Sequence, residues 1–193
     1  MELNREYWTD RYLKGETGWD IGYASPALIA YMEDKPRHVF ILIPGAGNAY
    51  EAQKLWEMGF HDITVADISE IPLLNLKKRI PEFPEKNLRH EDFFNLSGNY
   101  DFILEQTFFC ALNPDLREAY AEKMAGLLNP KGELAGLLFD APMNTDYPPF
   151  GGTAREYRQV LGKYLQVLHM ATCHQSIPPR AGKEVFFRAT SLL

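Results

Sequence analysis

Short apolar runs alternate along this chain with longer stretches of helical period. Val39-Phe40-Ile41-Leu42-Ile43 is an unbroken apolar run halted by Pro44-Gly45, the pattern of a strand buried on both faces of a parallel sheet. Ile63-Thr64-Val65-Ala66 is a second run and ends at Asp67. Further runs lie at Leu88-Arg89-His90, at Asp101-Phe102-Ile103-Leu104 and from Glu133 to Phe139. Between them, residues 49–58, 70–80, 115–128 and 153–164 place apolar side chains at helical spacing, with Gly59 and Asn129-Pro130-Lys131-Gly132 as stop signals. Ahead of the first strand, residues 5–14 read as a short helix carrying Tyr7, Trp8 and Tyr12. Ser25-Pro26 opens another, the serine placed to cap and the proline suited to the first turn. The last two strands, residues 165–173 and 184–190, are separated by a turn with Pro178, Pro179 and Gly182 and by no helix. They are therefore expected to form an antiparallel hairpin. The whole predicts a Rossmann-like α/β fold with a mostly parallel, seven-stranded sheet and an antiparallel C-terminal hairpin. Ligands of such sheets sit beyond the carboxyl ends of the strands, at the topological switch point.

Composition narrows the partners. The 193 residues suit one domain, residues 1–193, and the 46% hydrophobic content is enough for a core. Lys plus Arg is 20 and Asp plus Glu is 26, net −6, a sign that repels nucleic acid and anionic lipid. No apolar run reaches the roughly 18–20 residues that span a bilayer. The opening MELNREYWTDRY is too polar for a signal peptide. Two cysteines without CxxC spacing fit a reducing, cytoplasmic setting. The expected partner is a small-molecule or anionic substrate, with no nucleic acid and no membrane, and the expected state is a monomer.

The stretch from Val39 to Ile68 carries the chemistry. A buried strand runs into Pro44-Gly45-Ala46-Gly47-Asn48-Ala49, a helix follows, and the next strand ends in Asp67, 20 residues beyond Gly47. The glycines let backbone approach a ligand, and the helix N-terminus offers N–H groups and partial positive charge to a carboxylate or phosphate. An acid at the end of the second strand accepts from both ribose hydroxyls. Together they specify an adenosine-containing cofactor. A dinucleotide would favour glycine three residues after Gly47, where this chain has Tyr50. The Tyr-x-x-x-Lys pair of short-chain dehydrogenases is missing, because Tyr120 and Lys123 are one residue too close. S-adenosylmethionine fits better, since its carboxylate suits the glycine turn and its sulfonium needs no phosphate cradle.

Tyr7-Trp8-Thr9-Asp10-Arg11-Tyr12, Thr17-Gly18-Trp19-Asp20-Ile21-Gly22 and Ser25-Pro26-Ala27-Leu28 resemble the thiopurine S-methyltransferase family, and its halide and thiol methyltransferase branch most. Ile43-Pro44-Gly45-Ala46-Gly47 resembles that family's cofactor loop, with Ala46 where cysteine is usual. Val65-Ala66-Asp67-Ile68-Ser69, Glu91-Asp92-Phe93-Phe94, Tyr100-Asp101-Phe102-Ile103 and Thr107-Phe108-Phe109-Cys110-Ala111-Leu112 follow in the family's order, and Pro148-Pro149-Phe150 resembles a substrate-side loop. The resemblance implies a class I S-adenosylmethionine-dependent methyltransferase, with residues 1–35 as a helical lid over the cofactor site. It also implies cofactor contacts from Trp8, Tyr12, Trp19, Gly45, Asp67, Asp92, Phe93 and Gln106, beside Gly47 of the loop. Tyr12 stands where tryptophan is frequent, and Gln106 where tyrosine or arginine is found.

The reaction implied is direct in-line methyl transfer to a soft nucleophile: a thiol or thiolate, a thiopurine, sulfide, thiocyanate or a halide ion, with S-adenosylhomocysteine as product. Such acceptors need no strong general base, so no catalytic acid or base is assigned. Phe109, Pro149 and Phe150 are the substrate-pocket candidates. The competing readings are an O- or N-methyltransferase of small molecules and a non-catalytic cofactor-binding module. A nicotinamide-dependent oxidoreductase is a minor fourth. Cys110 sits in an apolar run and reads as a core residue. His169 and His174 are five apart, a poor metal spacing, and no metal is expected.

Overall fold

The structure, a computed structural model, describes residues 2–192. Two helices precede the sheet, α1 (Arg5–Leu13) and α2 (Pro26–Met32). There follow β1 (Ile41–Pro44), α3 (Tyr50–Glu57), β2 (Ile63–Asp67), α4 (Glu70–Arg79), β3 (Leu88–His90), β4 (Tyr100–Gln106), α5 (Arg117–Leu127), β5 (Leu128–Phe139), α6 (Ala154–Leu161), β6 (Leu165–Thr172) and β7 (Glu184–Ser191). The seven strands form one sheet in the order β3-β2-β1-β4-β5-β7-β6. β1 to β5 are parallel, while β7 runs antiparallel to both β5 and β6. The predicted α/β sheet with its closing hairpin is thus the observed one.

Helices cover both faces. On one, Leu28, Met32, Ala52, Leu55, Leu73 and Leu76 of α2, α3 and α4 pack on Ile41, Ile43, Ile63 and Val65. On the other, Tyr120, Ala121, Met124 and Leu127 of α5, with Tyr157 and Leu161 of α6, pack on Leu42, Ile103, Leu134 and Phe187. Alternate residues of β1 therefore feed opposite cores, which is why its sequence reads as a continuous apolar run.

Several element ends differ from the sequence reading, and one expected cap is not made. β1 begins at Ile41 rather than Val39, because Phe40 lies at the sheet's rim, 53% exposed. The Phe40 carbonyl accepts from Asp101 N and Phe102 N, and its own N–H donates to Asp101 Oδ2. β5 begins at Leu128, opposite Tyr100, and the expected turn at residues 129–132 is an irregularity before Phe102 pairs with Glu133. Ser25 precedes α2 with Pro26 in the first turn, but its hydroxyl does not cap the helix; its N–H instead donates to Glu51 Oε1 at 2.8 Å. Among the described residues no helix is long and apolar enough to cross a membrane.

Candidate active site

Sheet order reverses between β1 and β4, and a cavity of about 590 Å³ opens at the carboxyl ends of these strands. It is of the size that holds a cofactor with a small substrate. The floor is the loop after β1. Gly45, Gly47 and Ala49 all adopt φ 54° there, and α3 starts at Tyr50. A side chain on Gly45 would fall inside the Phe108 ring. One on Gly47 would lie 3.5 Å from Tyr12 Oη and 3.7 Å from Trp19 Nε1. That gap is the cradle between the glycine loop and the N-terminal aromatic residues. Gly47→Ala is expected to cost roughly 1–2 kcal/mol of stability through its left-handed backbone. It is also expected to weaken S-adenosylhomocysteine binding about tenfold, by narrowing the cradle. Melting curves and calorimetric titration read the two effects separately.

Asp67 ends β2 and locks this loop. Its Oδ2 accepts from Gly47 N at 3.0 Å and its Oδ1 from Ser69 N at 2.9 Å. Only 7% of the residue is exposed. Burial pushes its carboxyl up to about 6, against the pull of those backbone donors. Beyond β3, Asp92 accepts from Phe94 N at 2.8 Å through Oδ1. Phe93 packs edge-on against Phe108, with ring centroids 5.1 Å apart.

The N-terminal segment covers the opening. Asn4 caps α1 by accepting from Tyr7 N, and Thr9 Oγ1 donates to Ser69 Oγ at 3.0 Å, next to the Asp67 turn. Trp19 meets Trp8 edge-on at 5.5 Å and Tyr12 at 5.6 Å. Burial, reinforced by the Asp67 charge, pushes the Tyr12 phenol far above its ordinary range, so it stays a neutral donor. Asn48 Nδ2 donates to Asp20 Oδ2 at 2.5 Å, and Arg180 Nη2 donates to the Trp19 carbonyl at 2.9 Å. The segment is therefore pinned on one side by the glycine loop and on the other by the turn between β6 and β7.

At the end of β4, Glu105 is fully buried, and its Oε1 accepts from both Phe108 N and Phe109 N at 2.8 Å. Burial, with the nearby Glu184 charge, pushes its carboxyl up to about 7. Gln106 sits between Glu51, Ser25 and Arg180. With its carboxamide turned as those neighbours require, it donates to Glu51 Oε1 at 3.1 Å and to Ser25 Oγ at 3.2 Å, and accepts from Arg180 Nη1 at 3.2 Å.

Trp8, Tyr12, Trp19, Gly45, Gly47, Asp67, Asp92, Phe93, Gln106 and Pro149 all border this one cavity. Two substrate-pocket candidates do not. Phe109 is 1% exposed and packs into the core against Tyr120 at 4.9 Å and Tyr157 at 5.4 Å. Phe150 is buried beside a separate small hollow, its N–H donating to the Cys110 carbonyl. The tight turn after β4 sends neighbouring aromatic rings in different directions, so Phe108 lines the cavity while Phe109 leaves it. Glu51, Phe108 and Arg180 were not singled out from sequence. Glu51 lies in the first turn of α3 and Arg180 in the turn between β6 and β7, positions to which the sequence attaches no motif.

Comparisons with known proteins agree with this geometry. The chain is 28% identical over 184 residues to probable thiol methyltransferase 2 of Arabidopsis thaliana, covering 92% of this chain and 81% of that protein. It is equally 28% identical over 184 residues to thiocyanate methyltransferase 1 of Brassica oleracea, with the same coverage. The solved structure of Burkholderia thailandensis 1,6-didemethyltoxoflavin-N1-methyltransferase, with bound 1,6-didemethyltoxoflavin and S-adenosylhomocysteine, shares the fold at TM-score 0.76 and 19% identity, covering 97% of this chain and 86% of that one. The model of the thiopurine S-methyltransferase family matches residues 3–188. With a match over nearly the whole chain, a glycine loop locked by Asp67 and an aromatic segment folded over it, the chain belongs to the thiopurine S-methyltransferase family, and is a methyltransferase that uses S-adenosylmethionine.

Proposed function

We propose that this methyltransferase acts on a soft anion, a thiolate, hydrosulfide, thiocyanate or halide, and that residues 45–47, Asp67 and the N-terminal aromatic residues hold its cofactor. The residues present fit that group. Gly47 leaves a cradle that a side chain would occupy, Tyr12 and Trp19 turn polar atoms towards it, and Asp67 supplies a buried acceptor at the end of β2. Asp92 and Phe93 would meet the adenine end, and Gln106, bonded to Glu51, the opposite end. S-adenosylmethionine, when bound, supplies a methyl group made electrophilic by its sulfonium.

The observation that carries the soft-anion reading is the set of apolar side chains in the cavity's lining. Phe108, Leu112, Leu116, Phe139, Met143 and Pro149 border the cavity. An apolar wall strips water from a weakly hydrated anion, and it favours a reaction in which opposite charges neutralise. No histidine borders the cavity among the described residues, and a nucleophile that is already ionised requires no base. Trp8, Tyr12 and Trp19 exclude water from above, and ring faces towards a sulfonium contribute roughly 0.5–2 kcal/mol. The names of the thiol and thiocyanate methyltransferase relatives support the same class.

The test is a product assay with labelled methyl donor across iodide, thiocyanate, sulfide, an aromatic thiol, a phenol and an amine. Methylated iodide, thiocyanate, sulfide or thiol is expected. Turnover confined to the phenol or the amine would overturn the reading, as would donor binding without any product.

A further inference from the structure

The amino-acid end of the cofactor is a zwitterion, and the arrangement above provides for only half of it. The glycine loop, the start of α3 and the Tyr12 and Trp19 donors all suit a carboxylate. The α-ammonium needs an acceptor. Five acids border the cavity: Asp20, Glu51, Asp67, Glu91 and Asp92. Asp20 is engaged through both oxygens, with Gly22 N at 2.7 Å and Asn48 Nδ2 at 2.5 Å. Asp67 is engaged by Gly47 N and Ser69 N and faces the ribose position. Glu91 pairs with Arg89, and Asp92 lies beyond β3, at the far end. Glu51 remains. It stands in the first turn of α3, between the glycine loop and the end of β4, and is 9% exposed. Its Oε1 is held by Ser25 N at 2.8 Å and by the Gln106 carboxamide at 3.1 Å.

The other oxygen, Oε2, accepts no hydrogen bond from another residue among the described residues, and Glu51 borders the cavity. Arg180 does not satisfy it. That guanidinium is committed to the Trp19 carbonyl, to the Gln106 carboxamide and to Glu184 at 3.6 Å. We propose that Glu51 is the acceptor for the α-ammonium group of the cofactor, held in place by Ser25 and Gln106, so that it distinguishes the complete donor from adenosyl compounds lacking the amino-acid end. The proposal rests on the cofactor placement proposed above. A buried, half-bonded carboxylate is costly alone and favourable once a cation meets it. Burial accordingly pushes the Glu51 carboxyl up, with Asp20 adding to the rise and Arg180 opposing it.

The experiment is calorimetric titration of wild type and Glu51→Gln with two ligands, S-adenosylhomocysteine and 5'-methylthioadenosine, the second lacking the amino-acid end. Glu51→Gln is expected to lose about 10- to 100-fold in affinity for S-adenosylhomocysteine, the range of one charge-assisted hydrogen bond, and less than about twofold for 5'-methylthioadenosine. An equal loss on both ligands would make Glu51 a purely structural support and overturn the proposal, as would no loss on the first. Wild type that binds neither ligand would instead overturn the cofactor placement itself. Should the glutamine variant lack a cooperative melting transition, Glu51→Asp gives the same comparison. Its shorter carboxylate is expected to lose about three- to tenfold on S-adenosylhomocysteine alone, and an equal effect on both ligands again overturns the proposal.

Discussion

Asp67→Ala is expected to weaken S-adenosylhomocysteine binding by at least about a hundredfold. Two losses combine. In the proposed placement the ribose hydroxyls would lose a charged acceptor, and Gly47 N and Ser69 N lose the carboxylate that sets the glycine loop. Stability responds less. Burial pushes the folded carboxyl up to about 6 from an ordinary 3.8, so the folded state holds the proton more tightly than the unfolded one. Its ionisation therefore removes stability as pH rises through the window from 3.8 to about 6, by about 3 kcal/mol at most. Alanine escapes that cost while leaving two N–H groups without a partner, and the two effects offset. Ligand affinity has the opposite pH dependence, because the ionised carboxylate is the better acceptor. Wild-type binding should weaken as pH falls below about 6, and that fall should be missing from the alanine variant. Calorimetric titration from about pH 5 to about pH 8 measures both features, and equal affinity of variant and wild type would refute the role assigned to Asp67.

The second large effect concerns Glu105. Its Oε1 holds the N–H groups of Phe108 and Phe109, while Oε2 is buried with no hydrogen-bond partner. Glu105→Ala leaves both N–H groups unpaired beside a void, and a loss of about 3–5 kcal/mol is expected, roughly a 10 °C drop in Tm for a chain of this size. Phe108 would lose its support and the cavity its wall, so ligand affinity should fall as well. Glu105→Gln should behave oppositely. It keeps an acceptor for the two N–H groups and removes the buried charge. The carboxyl is raised from 4.5 to about 7, so its contribution to stability declines as pH rises through that window. The glutamine variant should therefore match wild type near pH 5 and exceed it near pH 8, by about 3 kcal/mol at most. Differential melting of the pair at the two pH values checks this, and a constant difference between them would show that Glu105 does not titrate there.

Much of this was legible in the chain. Buried runs such as Ile41-Leu42-Ile43 mark parallel strands because both faces are covered, and a connection between β6 and β7 with a single 3-10 turn in place of an α-helix marks the antiparallel edge. The Gly47 and Asp67 pair was legible because its spacing is fixed by one helix and one strand. What escaped was set by direction and by distance. Phe108 and Phe109 are neighbours of the same type, and only the turn imposed by Glu105 decides which ring enters the cavity. Glu51, Gln106 and Arg180 lie far apart in sequence and meet only once β4 and the hairpin turn are assembled. Val39 and Phe40 read as strand from composition alone, yet they fall outside the ladder at the rim.

The hydrogen bond from Arg180 to the Trp19 carbonyl joins residues 161 positions apart. During synthesis on the ribosome, the sheet from β1 to β5 can assemble while the aromatic segment still lacks this anchor. The roof over the hollow gains this second anchor only after residue 180 has emerged. A nascent chain interrupted before the hairpin turn would hold that roof only through the Asn48–Asp20 and Thr9–Ser69 hydrogen bonds, on one side alone.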